Sequence, residues 1–250
     1  MGLSNNQIKY IRSLGEKKFR NQFNTFVAEG EKLVFDLMES CRCQIIAALP
    51  ETLNKYPNII AEKVIETTDA KLKKATFLKT PPPVIAVFDQ PQFNIDEIDL
   101  NKHISIVLDN IQDPGNVGTI IRIADWFGID NIICSKDSAD VYNPKTVQAT
   151  MGSIARVNVI YTDIISFLSN NANLPVYGTF LNGNNIYDEK LSDHGFIVMG
   201  SEGKGISSEV EKFINKRLFI PNYPINKKSS ESLNVAAATA IVCSELRRRS

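Results

Sequence analysis

Residues Leu108–Gly128 read LDNIQDPGNVGTIIRIADWFG, and the fold follows from how this stretch is parsed. The preceding HISIV has the apolar, β-branched character of a buried strand. It gives way to a polar loop holding Asp109, Asn110, Asp113, Pro114, Gly115, Asn116 and Gly118. Ile120, Ile121, Ile123, Ala124 and Phe127 then make one side of an amphipathic helix, with Arg122 just inside it. A strand, a Gly/Asn-rich turn and a helix N-terminus in that order form a binding edge of an α/β sheet. On this stretch alone, Asp109 and Asn116 either meet a ligand or satisfy the backbone of a tight turn. Arg122 is either chemistry or surface.

The same alternation continues to the end of the chain. HISIVL, NIICS, RVNVIY, PVYGTF, FIVMG and RLFIP read as strands. GTIIRIADWFG, NPKTVQATMG, DIISFLSNN, SSEVEKFIN and LNVAAATAIVCSELRRR read as helices between and after them. Near-continuous apolar strands separated by helices predict a mostly parallel sheet covered on both faces. Arg247, Arg248 and Arg249 suit the C-terminus of the last helix, where cations meet the negative end of its dipole.

The first half is a smaller α/β unit. Ser4 caps a helix bearing Ile8, Ile11 and Leu14, and Phe26-Val27 opens a strand. Glu29-Gly30 turns, Leu33 to Met38 is helical, and CQIIAAL, VIETTDAKLKKAT and VIAVF supply further strands and a helix. Prolines and Asp89-Gln90-Pro91 begin a linker. The expected division is residues 1–95 and 96–250.

Composition narrows the possibilities. At 250 residues, 43% hydrophobic and 22% charged, the chain suits two small domains or one large one with an ordinary core. Its formal net charge is zero, so overall charge does not speak for nucleic acid. Lys9, Arg12, Lys17, Lys18 and Arg20 cluster near the start against Glu16, which by itself reads as a solvated helix face. Cys41, Cys43, Cys134 and Cys243 are scattered, and His103 and His194 lack ligand partners, so no metal site is expected. No apolar run is long enough to span a membrane, and the N-terminus has neither an apolar signal core nor a myristoylation pattern. A cytoplasmic protein is expected.

In open α/β sheets ligands sit beyond the carboxyl ends of the strands. Four predicted strands run into Gly/Asn/Ser-rich loops: DNIQDPGNVG, LNGNN, SEGKGIS and NYPINKKSSESLN. GSEGKG fits neither a dinucleotide fingerprint nor a phosphate-binding P-loop. Ser232 is a good helix cap, and Asn234 is either its partner or a substrate contact.

Three segments in this order, DNIQDPGNVGTIIRIADWFG, IVMGSEGKGIS and IPNYPINKKSSESLNVAAATAIVCSEL, resemble the SpoU (TrmH-like) family of RNA ribose 2′-O-methyltransferases, within the SPOUT superfamily. They cover most of His103–Leu246. The opening IRSLGEKKFRNQFNTFVAEGEKLV is similar to the ribosomal-protein-like RNA substrate-binding domain often fused to that family. The resemblance implies a trefoil-knotted C-terminal half, S-adenosyl-L-methionine as cofactor, and a homodimer with each active site formed across the interface. It implies catalytic roles for Arg122, Asn116, Glu202, Ser232 and Asn234. It implies cofactor contacts around Gly200, Ile220 and Leu233, to which Thr179 is added from its strand-end position. It turns Lys17, Lys18 and Arg20 into RNA contacts. The segment from Asn222 to Glu231 is longer than in many relatives and brings Lys227 and Lys228 close to where RNA would lie.

The implied reaction is methyl transfer to a ribose 2′-OH, of 23S ribosomal RNA by analogy with members carrying a separate RNA-binding domain, or else of transfer RNA. Two rivals stand beside it. One is an RNA-binding module without catalysis. The other is a nucleotide-dependent oxidoreductase, for which DPGNVGT lacks the glycine pattern.

Overall fold

The computed structural model describes residues 2–224 and 232–248. Lys227 and Lys228 lie outside the described residues. In chain order the elements are α1 (Asn5–Ser13), α2 (Lys17–Phe23), β1 (Thr25–Glu29), α3 (Glu31–Met38), β2 (Cys43–Ala48), α4 (Pro50–Lys55), β3 (Lys63–Glu66), α5 (Asp69–Ala75) and β4 (Val84–Asp89). They continue with β5 (Ile104–Asp109), α6 (Pro114–Trp126), β6 (Asn131–Ser135), α7 (Pro144–Thr150), β7 (Asn158–Thr162), α8 (Ile164–Asn170), β8 (Val176–Asn185), β9 (Gly195–Gly200), α9 (Ser208–Glu211), β10 (Lys216–Phe219) and α10 (Val235–Arg248). They pack as two compact units, one of residues 1–92 and 140–156, the other of residues 93–139 and 157–250. The segment 140–156 thus packs with the first unit, where a single boundary near residue 95 was expected.

In the first unit, a sheet of order β1-β4-β2-β3 is antiparallel except for the parallel β2/β3 pair. Ser4 caps α1 with a reciprocal bond from Gln7, which directs Ile8, Ile11 and Leu14 onto Val27, Ala47, Ile85 and Val87. β1 is buried along its whole length. Segment 140–156 contributes to that burial, with Tyr142 packed on Phe26 at 4.9 Å between ring centroids.

Arg20 does not belong to the exposed basic cluster. It is 2% exposed, and its guanidinium donates to Asp140 Oδ2 at 2.6 and 3.1 Å and to the Leu14 carbonyl at 2.8 Å. It is therefore a core ion pair rather than an RNA contact. Lys17 and Lys18 remain exposed, Lys18 beside Glu16 at 3.1 Å. The thiols are equally structural. Burial pushes Cys43 and Cys243 up to about 12 and also raises Cys41 and Cys134, which keeps them protonated.

The second unit holds the six expected strands in one parallel sheet of order β10-β8-β9-β5-β6-β7. The apolar runs of β5, β6 and β9 occupy its middle and are almost wholly buried. β8 runs five residues further than PVYGTF suggested, because Asn184 and Asn185 pair with Leu218 and Phe219 across a register shift.

α6 and α10 lie side by side and parallel, fastened at both ends. Near their starts Asn234 Nδ2 donates to Asn116 Oδ1 at 3.0 Å. At their ends Arg247 donates to the carbonyls of Phe127 and Gly128 at 2.6 and 2.7 Å. Arg247, in the last turn of α10, therefore also caps the neighbouring helix, α6, while Arg248 pairs with the buried Glu245 at 2.7 Å. Arg249 lies outside the described residues. Among the described residues no helix is long and apolar enough to cross a membrane, and no group of side chains is arranged to hold a metal ion.

Replacing Arg20 by Leu leaves the Asp140 carboxylate without its partner in a place only 14% open to water. Denaturant titration should show a loss of about 3 kcal/mol. A variant as stable as the parent would mean that Asp140 finds a substitute donor.

Candidate active site

The carboxyl ends of β9 and β10 and the middle of β8 meet around one cavity of about 530 Å³. Its floor is the loop after β9, Gly200 to Ile206, together with Met199. Thr179, Phe180 and Leu181 form one wall, Phe219 and Ile220 a second, and Ser232, Leu233, Val235 and Ala238 a third. The four proposed cofactor contacts, Thr179, Gly200, Ile220 and Leu233, all line this one space. Phe180 and Glu211 were not foreseen. Arg217 stacks over the Phe180 ring at 3.6 Å and pairs with Glu211, which stiffens that wall from behind.

The loop is a closed turn. Ser201 N–H donates to the Gly205 carbonyl at 3.0 Å and Gly205 N–H returns a bond to Ser201 at 2.8 Å. Gly205 has φ +68°, a conformation that favours glycine. Gly200 lies so close beneath the return that a Cβ there would sit 2.2 Å from the backbone of Gly205 and Ile206. Two of the three glycines in GSEGKG are therefore fixed by geometry.

Three of the five proposed catalytic residues are joined by side-chain hydrogen bonds. Asn116, near the start of α6, donates through Nδ2 to Glu202 and accepts through Oδ1 from Asn234. Asn234 Oδ1 in turn accepts from the N–H groups of Ala236 and Ala237 at 3.0 and 3.3 Å. Asn234 is thus the cap of α10, the role that the sequence suggested for Ser232. Asp113 caps α6 by accepting from Asn116 N–H at 2.9 Å. Glu202 and Ser232 line the cavity, so the chain Glu202–Asn116–Asn234 stands at its edge.

Arg122 is placed elsewhere. It is exposed on α6, does not line the cavity, and makes no side-chain bond among the described residues. One turn further along the same face stands Trp126, 84% exposed.

Comparison with known proteins agrees with this geometry. The SpoU rRNA Methylase family model matches residues 103–244, and an MRM3-like substrate binding domain matches residues 5–86. The chain is 29% identical over 97% of its length to the 23S rRNA (guanosine(2553)-2′-O)-methyltransferase RlmP of Bacillus subtilis, covering 96% of that protein. A Porphyromonas gingivalis structure assigned to the TrmH family of RNA methyltransferases superposes with a TM-score of 0.90 at 42% identity, over the full length of both chains. An AdoMet-bound rRNA methyltransferase from Sinorhizobium meliloti superposes with a TM-score of 0.87 at 29% identity, covering all of this chain and 97% of that one.

The close approach at Gly200 yields a test. Gly200→Ala should force the Gly205–Ile206 backbone outward and lower stability by about 1–3 kcal/mol, read from thermal unfolding. An unchanged melting temperature would show that the loop yields freely.

Proposed function

The chain belongs to the SpoU rRNA methylase family, and we propose that it transfers a methyl group from S-adenosyl-L-methionine to a ribose 2′-OH of 23S ribosomal RNA. One observation carries the reading: Glu202, Asn116 and Asn234, drawn from three separate segments, are bonded into one chain at the edge of the cavity. The named activity of the Bacillus subtilis relative supports the RNA class, and the AdoMet-bound Sinorhizobium meliloti relative supports the cofactor.

The cavity suits that cofactor. Its volume falls in the range of small-molecule sites. Its walls mix apolar side chains, Leu181, Met199 and Val235, with backbone N–H and C=O groups of a glycine-rich loop. A nucleoside with apolar faces and polar edges requires both kinds of surface. Thr179, Gly200, Ile220 and Leu233 would hold S-adenosyl-L-methionine, which supplies an electrophilic methyl group on a positively charged sulfur.

The chain's own residues act on the RNA. A ribose hydroxyl is a weak nucleophile until its proton begins to leave. Asn116 and Asn234 orient that hydroxyl, Ser232 adds a polar group to the cavity lining, and Glu202 fixes the Asn116 carboxamide. A guanidinium keeps its proton in proteins, so Arg122 is a clamp rather than a base. It grips the phosphate beside the target ribose through its two-pronged face, and the hydroxyl proton passes to a phosphate oxygen or to water. The first unit binds the RNA, with Lys17 and Lys18 on its backbone; Lys227 and Lys228, outside the described residues, are further candidate RNA contacts. The second unit carries the trefoil knot and the chemistry. The enzyme works with the ribosomal RNA of the cytoplasm.

We also propose a homodimer through the C-terminal unit. Its support is the outer face of α6, where Arg122 has no partner among the described residues and Trp126 stands in water. A second copy covering that face would shelter the indole and deliver Arg122 toward the neighbouring cavity.

Arg122→Lys keeps the charge and loses the fork. Single-turnover methylation of 23S RNA should fall by about 10²-fold, while calorimetric binding of S-adenosylhomocysteine stays unchanged. Near-parental transfer would sink the phosphate clamp. Trp126→Glu should convert a sedimenting dimer to a monomer and abolish transfer; a parent chain that sediments as a monomer disproves the dimer.

A further inference from the structure

Asp109 is the last residue of β5 and only 2% exposed. A buried carboxylate is costly unless its oxygens are met by donors. Here Oδ2 accepts a hydrogen bond of 2.7 Å from the backbone N–H of Ser207, 98 residues away in sequence. In the parallel register of β5 and β9, Asp109 lies opposite Gly200. The carboxylate therefore stands at the foot of the loop that leaves the sheet at Gly200 and returns at Ser207.

That loop carries its own closure, the pair of bonds between Ser201 and Gly205. Such a closed turn moves as a piece, and its place is set at its two ends. At the outgoing end, β9 continues directly into Gly200. At the returning end, Ile206 packs against the core and Ser207 is held by Asp109. A charged acceptor in a site screened from water makes this the stronger kind of hydrogen bond. Glu202 and the backbone of Gly203 to Ile206, which face the cavity, ride on the piece so held.

We infer that Asp109 is a positioning residue for the cofactor: its carboxylate fixes the cavity floor and the height of Glu202 through the N–H of Ser207. This rests on the reading of the cavity as the S-adenosyl-L-methionine site. Asp109 itself does not line the cavity, so its effect on the ligand passes through the loop.

Two substitutions remove the bond from opposite sides. Asp109→Ala takes away the acceptor. Ser207→Pro takes away only the donor, at a residue whose φ of −66° is the angle proline adopts. Asp109→Asn keeps an acceptor oxygen without the charge. Binding of S-adenosylhomocysteine is measured by calorimetry and binding of 23S RNA by filter retention, on the full chain. Asp109→Ala and Ser207→Pro should each weaken S-adenosylhomocysteine roughly tenfold, and Asp109→Asn less. The double variant Asp109→Ala/Ser207→Pro should be no worse than the weaker-binding single, because both remove one interaction. RNA affinity should not change, and the Michaelis constant for S-adenosyl-L-methionine should rise more than kcat falls.

Parental S-adenosylhomocysteine affinity in either single variant overturns the inference, as do additive losses in the double. A proportional loss of cofactor and RNA binding overturns it too, since that marks general destabilisation. If Asp109→Ala does not fold, Ser207→Pro decides. Failure of the parent chain to bind S-adenosylhomocysteine sinks the cofactor reading itself, which separates that failure from a failure of Asp109.

Discussion

The Asn116 carboxamide joins three stretches of chain that are distant in sequence. Its Oδ1 accepts from Asn234 and its Nδ2 donates to Glu202. An uncharged amide can do both at once; aspartate has no proton to give at neutral pH, and a hydroxyl is too short to bridge the same pair. Because Asn234 also caps α10, the bond fixes the start of that helix against the start of α6. Arg247 fixes the far ends against the carbonyls of Phe127 and Gly128. Two parallel helices held at both ends cannot slide or roll independently. The outward placement of Arg122 and Trp126 then follows from which face of α6 is turned toward α10 and the sheet.

The elements of this fold were legible because their signals are local. Each strand of the large sheet is an apolar, β-branched run, and each long helix shows its periodicity within a dozen residues. The order β10-β8-β9-β5-β6-β7 was not legible, since nothing in a strand names its neighbour in a parallel sheet. Arg20 misled for a related reason. In KKFRNQF it reads as one more surface cation, because arginine is rarely buried without a partner. Its partner, Asp140, is 120 residues away, in a segment that reads as part of the other half. Ser232 and Asn234 show the limit of cap reading: both are good cap residues, and the start of α10 at Val235 decides between them.

The site divides along similar lines. Glu202, Asn116, Asn234 and the residues around Gly200 came from resemblance, and the structure brings them to one edge. Local reading of LDNIQDPGNVG left Asp109 between a ligand contact and a partner for its own turn. The observed role is a third one, acceptor for a backbone N–H in another loop. Burial of a lone acid at a strand end was the signal available, and it names no partner. The Phe180–Arg217–Glu211 stack was hidden because its members sit in three separate segments, none with unusual composition.

What the chain holds ready and what it leaves open also differ in energy. The floor of the cavity and the Glu202–Asn116–Asn234 chain are already bonded to one another, so their order is established during folding rather than on ligand arrival. Arg122 is exposed and without a partner among the described residues, and a guanidinium in water is well solvated, so leaving it there costs little. An exposed fork gains most from a phosphate that arrives with the RNA, and that gain can serve the orientation of the reacting hydroxyl instead of ground-state affinity for the cofactor. On the proposed reading, ordered groups around the small ligand and an exposed Arg122 toward the polymer would separate holding the methyl donor from presenting its acceptor. Removing Arg122 should then touch the second without the first, whereas loosening the loop at Asp109 should touch the first.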